Sequence, residues 1–258
     1  MPASAGEDYG RPTIRHQSIQ SHMTGVALLL AGLLTSNVVL GQPEDLATDK
    51  AECENGVTVA CFNTGVRYSK GLGVEQDEAR ALPFFVKACN GGNASGCALA
   101  AGRYADGVGT DKDEERATAF YVKACEANYA PSCALAGYRY DFAIGVAPDE
   151  VRATKLYAAA CVGNVALGCQ QLGERYHAGR GGVPRDPVRA LDLFIKSCDG
   201  DLEIGCYSAA RATMAAGRED DLENALFYLK RACELEHQPS CDILEEFKAL
   251  GHGDWVPQ

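Results

Sequence analysis

The sequence predicts an all-α fold, a right-handed solenoid of αα-hairpins with about twelve helices that is cross-linked by six disulfides. Three observations support this prediction: cysteine pairs that recur about every 36 residues, apolar residues at helical spacing, and glycine turns followed by acidic residues. A period in the range of 20–50 residues is typical of solenoids, in which each short unit packs only against its neighbours.

The twelve cysteines form six pairs, each with seven residues between its members. Only this local pairing recurs in every unit, so it is the predicted connectivity. The predicted disulfides are Cys53–Cys61, Cys89–Cys97, Cys125–Cys133, Cys161–Cys169, Cys198–Cys206 and Cys233–Cys241. Zinc is the alternative, but structural zinc sites usually have two to four residues between paired cysteines. The spacing therefore favours disulfides, and neither a metal site nor a cofactor is predicted.

Residues 1–41 have the organisation of an export signal. The uncharged stretch MTGVALLLAGLLTSNVVLG, residues 23–41, follows two arginines and precedes a polar segment, which predicts cleavage after Gly41. Met23 is an alternative start. An uncleaved membrane anchor is the other interpretation, although the stretch is slightly short for a membrane span. Paired cysteines favour an oxidising compartment, so the predicted location is secreted or periplasmic, with no stable membrane anchor after cleavage.

A solenoid is predicted over residues 42–250, and each of its units contains two helical stretches. The predicted units are 61–89, 97–125, 133–161, 169–198 and 206–233. In each unit a stretch rich in small residues leads to a turn, and the second stretch usually begins with acidic residues or proline, as helices do. Residues 43–54 and 241–250 supply one terminal helix each, and 251–258 is predicted to be a flexible tail.

Residues at matched positions predict how the helices pack. Glycine recurs in three first helices, at Gly65, Gly137 and Gly173, and lets helix axes approach closely. Tyrosines near the ends of four first helices are expected to fill the gaps between layers: Tyr68, Tyr104, Tyr140 and Tyr176. Further aromatic residues of the second helices are also expected in the core: Phe84, Phe85, Tyr121, Tyr157 and Phe194.

These units resemble Sel-one-like repeats (SLR), which are relatives of tetratricopeptide repeats. The resemblance is carried by the small-x-x-Tyr first helix, the turn GLGV at 71–74, the acidic helix start and the A-x-x-x-aromatic-x-x-A second helix. The cysteine spacing is similar to that of the Helicobacter cysteine-rich protein family. The resemblance covers residues 43–250. It implies a secreted repeat protein that binds peptides or proteins, and some members carry a penicillin-binding or weak β-lactamase description.

Four arginines form the candidate binding site: Arg67, Arg103, Arg139 and Arg175. Each stands just before the repeated tyrosine, and equivalent positions of a solenoid form a line. If this arginine ladder faces the concave groove, its guanidinium groups can bind the carboxylate of a peptide or of a penicillin. The alternative is that each arginine pairs with an acidic residue of a neighbouring helix start, such as Asp111 or Glu114. Paired arginines favour a scaffold without a groove ligand.

No catalytic residues are predicted. The S-x-x-K motif of serine β-lactamases is absent, and the histidines after residue 41 are far apart in sequence. A net charge of −11 makes nucleic acid an unfavourable partner. The predicted function is an exported scaffold that binds a peptide or partner protein in its concave groove. The alternatives are a penicillin-binding protein or weak β-lactamase, with a β-lactam or peptidoglycan-like ligand, and a structural envelope scaffold.

Overall fold

The computed structural model describes residues 43–216 and 221–249, which form twelve α-helices and no strand. In chain order the helices are α1 (Pro43–Glu54), α2 (Thr58–Lys70), α3 (Glu78–Asn90), α4 (Ala94–Asp106), α5 (Glu114–Glu126), α6 (Ala130–Asp141), α7 (Glu150–Val162), α8 (Ala166–Ala178), α9 (Pro187–Asp199), α10 (Glu203–Ala216), α11 (Asp221–Glu234) and α12 (Gln238–Ala249). The all-α hairpin prediction is confirmed. The predicted signal peptide and tail lie outside the described residues.

The helices stack in chain order. Even-numbered helices are the first helices of the hairpins, and odd-numbered helices are the second helices. Every helix packs against the helices before and after it in the chain, from α1 to α12. Contacts also join α6 to α8 and α8 to α10, so first helices of successive hairpins are neighbours. This nearest-neighbour packing is that of a solenoid.

Aspartates fix where the second helices begin. The side chains of Asp77, Asp113, Asp149 and Asp186 each accept a hydrogen bond from the backbone N–H three residues later, at 2.9–3.0 Å. An aspartate at this position satisfies a free N–H group of the first turn and complements the helix dipole. The acidic starts identified in the sequence are therefore N-caps, and they determine the register of α3, α5, α7 and α9.

The core between the layers is made of alanine and aromatic side chains. The four repeated tyrosines are buried, as predicted, and so are Phe85, Tyr157 and Phe194. Phe84 and Tyr121, also expected in the core, are only half-buried, and they pack against the buried cluster from its side. All six predicted disulfides are present, and each joins the end of a second helix to the next first helix. None of the described helices has the length and apolar character needed to cross a bilayer.

Close packing of a first helix on a second helix requires glycine at position 173. A Cβ atom there would lie 2.6 Å from a ring carbon of the buried Phe194. We therefore expect Gly173→Ala to lower the free energy of unfolding by about 1–3 kcal/mol, despite the better helix propensity of alanine. Urea titration followed by circular dichroism measures this change.

Gly102 provides the matched control, because it also lies inside a first helix but has space around it. The nearest atom to its added Cβ is the hydroxyl oxygen of Tyr121, at 3.9 Å. Gly102→Ala should raise the free energy of unfolding by about 0.4–1 kcal/mol. If both substitutions stabilise the protein, then the contact with Phe194 does not require a glycine.

Candidate functional site

The arginine ladder lies within the solenoid, and every member has an acidic partner. Arg67 donates to Asp49 of α1 at 2.7 Å, Arg103 to Glu78 of α3 at 2.9 Å, and Arg139 to Glu114 of α5 at 2.7 Å. Arg175 is fully buried and donates to Asp141 at the end of α6. The acid comes from the preceding hairpin or, for Arg67, from α1, so the ion pairs connect successive units.

Three of these guanidinium groups also stack on aromatic rings of the core. Arg103 lies over Phe85 at 4.7 Å, Arg139 over Tyr121 at 5.2 Å, and Arg175 over Tyr157 at 4.7 Å. A cation over a ring face gains electrostatic attraction, which increases when water is excluded. Ion pair and ring together hold each guanidinium in a fixed position.

This geometry matches the alternative in which the arginines pair with acidic residues of neighbouring units. Glu114 is the partner of Arg139, and hydrogen bonding from Lys112, aided by the charge of Arg139, lowers the pKa of Glu114. The expectation of free guanidinium groups in an open groove is not met, because Arg67, Arg139 and Arg175 are buried and all four are paired. A guanidinium group that is buried and already paired with an acidic residue cannot form two hydrogen bonds with the carboxylate of a ligand.

The fourth member of the ladder has the most buried environment. Asp141 accepts hydrogen bonds from Arg175 and, at 3.0 Å, from the hydroxyl of Tyr157. Burial raises the pKa of Tyr157, and the carboxylate of Asp141 raises it further, so the phenol remains a neutral donor. The three side chains form a charged network that links α6, α7 and α8.

An exposed apolar surface lies instead on α6. Leu135, Tyr138 and Phe142 are 43%, 45% and 62% exposed, and the ring centroids of Tyr138 and Phe142 are 4.4 Å apart. Phe142 is the C-cap residue of α6 and its N–H donates to the carbonyl oxygen of Tyr138, so the spacing of three and four residues keeps these side chains on one side of the helix. We call these three residues the α6 aromatic face. Sequence reasoning did not identify it, although apolar spacing at 135, 138 and 142 beside the core tyrosine could have indicated it.

A cavity of about 280 Å³ lies between the next two first helices, α8 and α10. Its lining combines charged and apolar residues: Glu174, His177, Phe194, Ser208, Arg211, Ala212 and Ala215. Glu174 and Arg211 occupy the position of Tyr138 one and two repeats later. Because α6 contacts α8 and α8 contacts α10, these three positions form a row along the first helices. The surface changes along this row from aromatic to charged.

The described residues contain no cluster of three or more His, Cys, Asp or Glu side chains that could hold a metal ion. His177 and His237 lie on α8 and just before α12, far apart in the chain of stacked hairpins. His237 contacts the hydroxyl of Ser240 at 2.8 Å, next to the start of α12. The first helices α6, α8 and α10 present an exposed surface with an apolar part and a charged part.

Comparison with known families identifies the repeat. The Sel1 repeat model matches residues 58–93, 94–129, 130–161, 166–202 and 216–237, which is more than half of the chain. The chain belongs to the Sel1 repeat family. Each full match begins with a first helix and continues through the second helix of the same hairpin, so the matched units are the structural hairpins. No curated protein sequence matches the chain significantly.

Solved structures of Sel1 repeat proteins share the fold. A protective antigen of uropathogenic Escherichia coli with an SLR fold is 25% identical, with a TM-score of 0.69 over 77% of this chain and 42% of that chain. This chain therefore spans less than half of the length of that antigen. A Sel1 repeat protein from Oxalobacter formigenes is 24% identical, with a TM-score of 0.67 over 79% of this chain and 86% of that chain. Helicobacter pylori cysteine-rich protein B is 24% identical, and its alignment covers 46% of this chain and 89% of that chain with a TM-score of 0.36.

Proposed function

We propose that this Sel1 repeat chain is an exported scaffold that binds a peptide or a partner protein on the exposed face of its first helices. The observation that carries the proposal is the α6 aromatic face, where Tyr138 and Phe142 are paired and exposed in the middle of the solenoid. Exposed aromatic clusters mark interaction sites, and aromatic residues dominate the energy of many interfaces.

The neighbouring cavity suggests what the rest of the partner segment contains. Packed helices lie 8–10 Å apart, so the step from α6 to α10 is about 20 Å. An extended chain of about six residues spans this distance. A segment with an apolar side chain on the α6 aromatic face can therefore place a polar or charged side chain beside Glu174 and Arg211.

The paired arginine ladder alone favours a scaffold without a groove ligand. The α6 aromatic face supports ligand binding by a different route, since its rings remain exposed while the arginines are internal. Six disulfides support an oxidising location, secreted or periplasmic. No observation on the described residues favours hydrolysis of a β-lactam, so we do not propose the penicillin-binding or β-lactamase alternative.

A photo-crosslinking amino acid at position 142 tests the proposal in cells that export the full chain. We expect it to capture a discrete partner, because Phe142 is the most exposed member of the α6 aromatic face. The matched control carries the same crosslinker at Leu222, which is 50% exposed at the start of the second helix α11. Equal capture at positions 142 and 222, or none at 142, would contradict the proposal.

A peptide from the captured partner then measures the role of Tyr138. We expect Tyr138→Ser to weaken binding at least 10-fold, because hot-spot aromatic residues contribute about 2 kcal/mol or more. The melting temperature should change little, since the ring of Tyr138 is already exposed. Isothermal titration calorimetry gives the affinity. An unchanged affinity for Tyr138→Ser would mean that the partner does not rest on the α6 aromatic face.

A further inference from the structure

A second row of arginines lies on the outer surface of the second helices. Arg80, Arg116, Arg152 and Arg189 hold one repeated position and are exposed. Each guanidinium lies 4.5–5.5 Å from the ring centroid of the buried tyrosine in its own hairpin. The rings attract the cations and restrict their movement. The exposed charges are therefore held in a fixed row.

A parallel row of basic residues lies two helical turns further along the same helices. It consists of Lys87, Lys123, Lys196 and Arg231. Half-buried apolar side chains lie between the two rows: Phe84, Phe120, Leu156, Leu193 and Tyr228. We call these three rows the basic face. They contain no acidic residue, although the chain as a whole has a net charge of −11.

Most arginines of the first row have no acidic partner of their own. Arg80, Arg152 and Arg189 form no ion pair within residues 43–216 and 221–249, and only Arg116 contacts an acid, Asp113 at 3.2 Å. In the second row Arg231 pairs with the exposed Asp201 at 3.0 Å. The basic face therefore retains cationic groups that can bind an external anion.

The basic face ends at a cavity of about 370 Å³ on α11. Arg231 lines this cavity together with Lys230 and the exposed Phe227, and the acidic residues Asp201 and Glu234 also line it. The cavity therefore provides space for an apolar side chain among groups of both charges. A partner segment that lies along the rows as far as α11 can place an apolar side chain in this cavity.

We propose that the basic face binds an extended acidic polypeptide segment that crosses the second helices from α3 to α11. The second helices α3 and α5 contact each other, so their axes lie about 10 Å apart, and an extended chain advances about 3.3 Å per residue. A carboxylate at every third residue therefore meets one arginine of each hairpin. This surface is separate from the α6 aromatic face, so the inference does not depend on the proposed function.

The acidic residues around the basic face favour a single extended peptide as its partner over a broad anionic surface. Exposed acids lie on the same helices just outside the rows, among them Glu115, Glu126 and Asp192. A lipid bilayer or a nucleic acid large enough to cover the face would also meet these acids and the overall negative charge. An extended peptide can contact the rows alone.

Fluorescence anisotropy of a labelled peptide tests the proposal with the oxidised chain. The probe is (Glu-Ser-Gly)6, and the comparison peptide has the same composition with its six glutamates contiguous. We expect the spaced peptide to bind at least 5-fold more tightly, and its affinity to fall as NaCl rises from 50 to 200 mM. Equal affinity for both peptides, or tighter binding of anionic lipid vesicles than of the spaced peptide, would overturn the proposal.

Charge-neutralised variants locate the binding. The first-row variant carries Gln at Arg80, Arg116, Arg152 and Arg189. The control variant loses the same charge at exposed residues outside the basic face: Lys70, Lys112, Arg180 and Arg185. We expect at least a 10-fold loss of affinity for the first-row variant and less than 2-fold for the control. Equal losses would show a general charge effect and overturn the proposal.

A single substitution keeps the proposal testable if the variant with four substitutions does not fold. Arg152→Gln removes one cation that has no ion pair among the described residues. We expect a 2- to 3-fold loss of affinity for the spaced peptide, with the melting temperature of the chain little changed. No loss of affinity for Arg152→Gln would count against the proposal.

Discussion

Reduction of the six disulfides is expected to unfold the protein at 25 °C. Each bridge joins cysteines eight residues apart, and closing so small a loop stabilises the folded chain by about 2.5 kcal/mol in the chain-entropy model. Six bridges amount to about 15 kcal/mol. This equals the upper end of the net stability of ordinary domains, which is about 5–15 kcal/mol.

The packing of the hairpins cannot replace this contribution. Alanine supplies many of the fully buried positions, among them Ala81, Ala117, Ala153, Ala190 and Ala225. An alanine buries one methyl group and gains much less from leaving water than leucine or phenylalanine. A solenoid also lacks distant contacts, because each hairpin packs only on its neighbours. The reduced chain therefore depends on a thin interface at each step.

Far-UV circular dichroism of the oxidised protein and of the reduced, alkylated protein measures this effect. The control is Cys233→Ala with Cys241→Ala, which removes only the last bridge, between α11 and α12. We expect this variant to lose about 2–3 kcal/mol and to retain its remaining helices. A reduced chain that keeps its helicity and melts as the oxidised chain does would show that helix packing alone stabilises the fold.

Most of the fold is predictable from the sequence because the pattern that indicates each structural element recurs in several repeats. An aspartate before a single helix is weak evidence, but Asp77, Asp113, Asp149 and Asp186 cap four helices in the same way. The disulfides follow from the same logic, since only pairing within a pair is repeated in every unit. A periodic sequence therefore determines local structure and connectivity.

The side of the solenoid on which a row lies is less predictable. The sequence places the arginine ladder on a line, but whether that line is exposed depends on how each helix is rotated against its neighbours. The partner of Arg175 also departs from the repeat, because Asp141 takes this role while Glu150, the equivalent of Glu114, lies near Arg180. The hairpin α8–α9 also contains an insertion, because twelve residues separate Tyr176 from Arg189, one more than between the equivalent residues of the earlier hairpins.

The α6 aromatic face escaped prediction for a related reason. Helix α6 carries apolar residues on two faces, and the spacing of apolar residues does not show which face is buried. The structure assigns Ala136 and Tyr140 to the core and leaves Leu135, Tyr138 and Phe142 exposed. No other repeat has an aromatic residue at the position of Tyr138 or of Phe142, so comparison of the repeats did not indicate whether these side chains are buried.

Replacing Arg175 with methionine is expected to lower the free energy of unfolding by about 3–5 kcal/mol. Removal of one partner of a buried ion pair leaves the other charge without compensation. Here the carboxylate of Asp141, 12% exposed, would keep only the hydroxyl of Tyr157 as a hydrogen-bond donor. Methionine fills much of the volume of the arginine side chain, so the loss reports mainly on the charge.

Arg116→Met is the matched control for this substitution. Arg116 also stacks on a tyrosine and pairs with an aspartate, but its side chain is 64% exposed. Exposed ion pairs contribute about 0–1 kcal/mol, so the control should lose no more than that. Urea denaturation of both variants gives the comparison. Similar losses at positions 116 and 175 would mean that burial of the Arg175–Asp141 pair does not determine its contribution.

A double-mutant cycle separates the ion pair from the packing of Arg175. Asp141→Asn alone leaves a buried guanidinium without its counterion, whereas Arg175→Met with Asp141→Asn removes both charges. If the two charges stabilise each other, the double variant should be less destabilised than the sum of the single losses, by about 1–3 kcal/mol. Additive losses would instead assign the effect of Arg175 to its stacking on Tyr157. In either outcome a large loss at position 175 would identify this arginine as a structural link between α6, α7 and α8, because a ligand anchor that is unpaired in the free protein would cost little when removed.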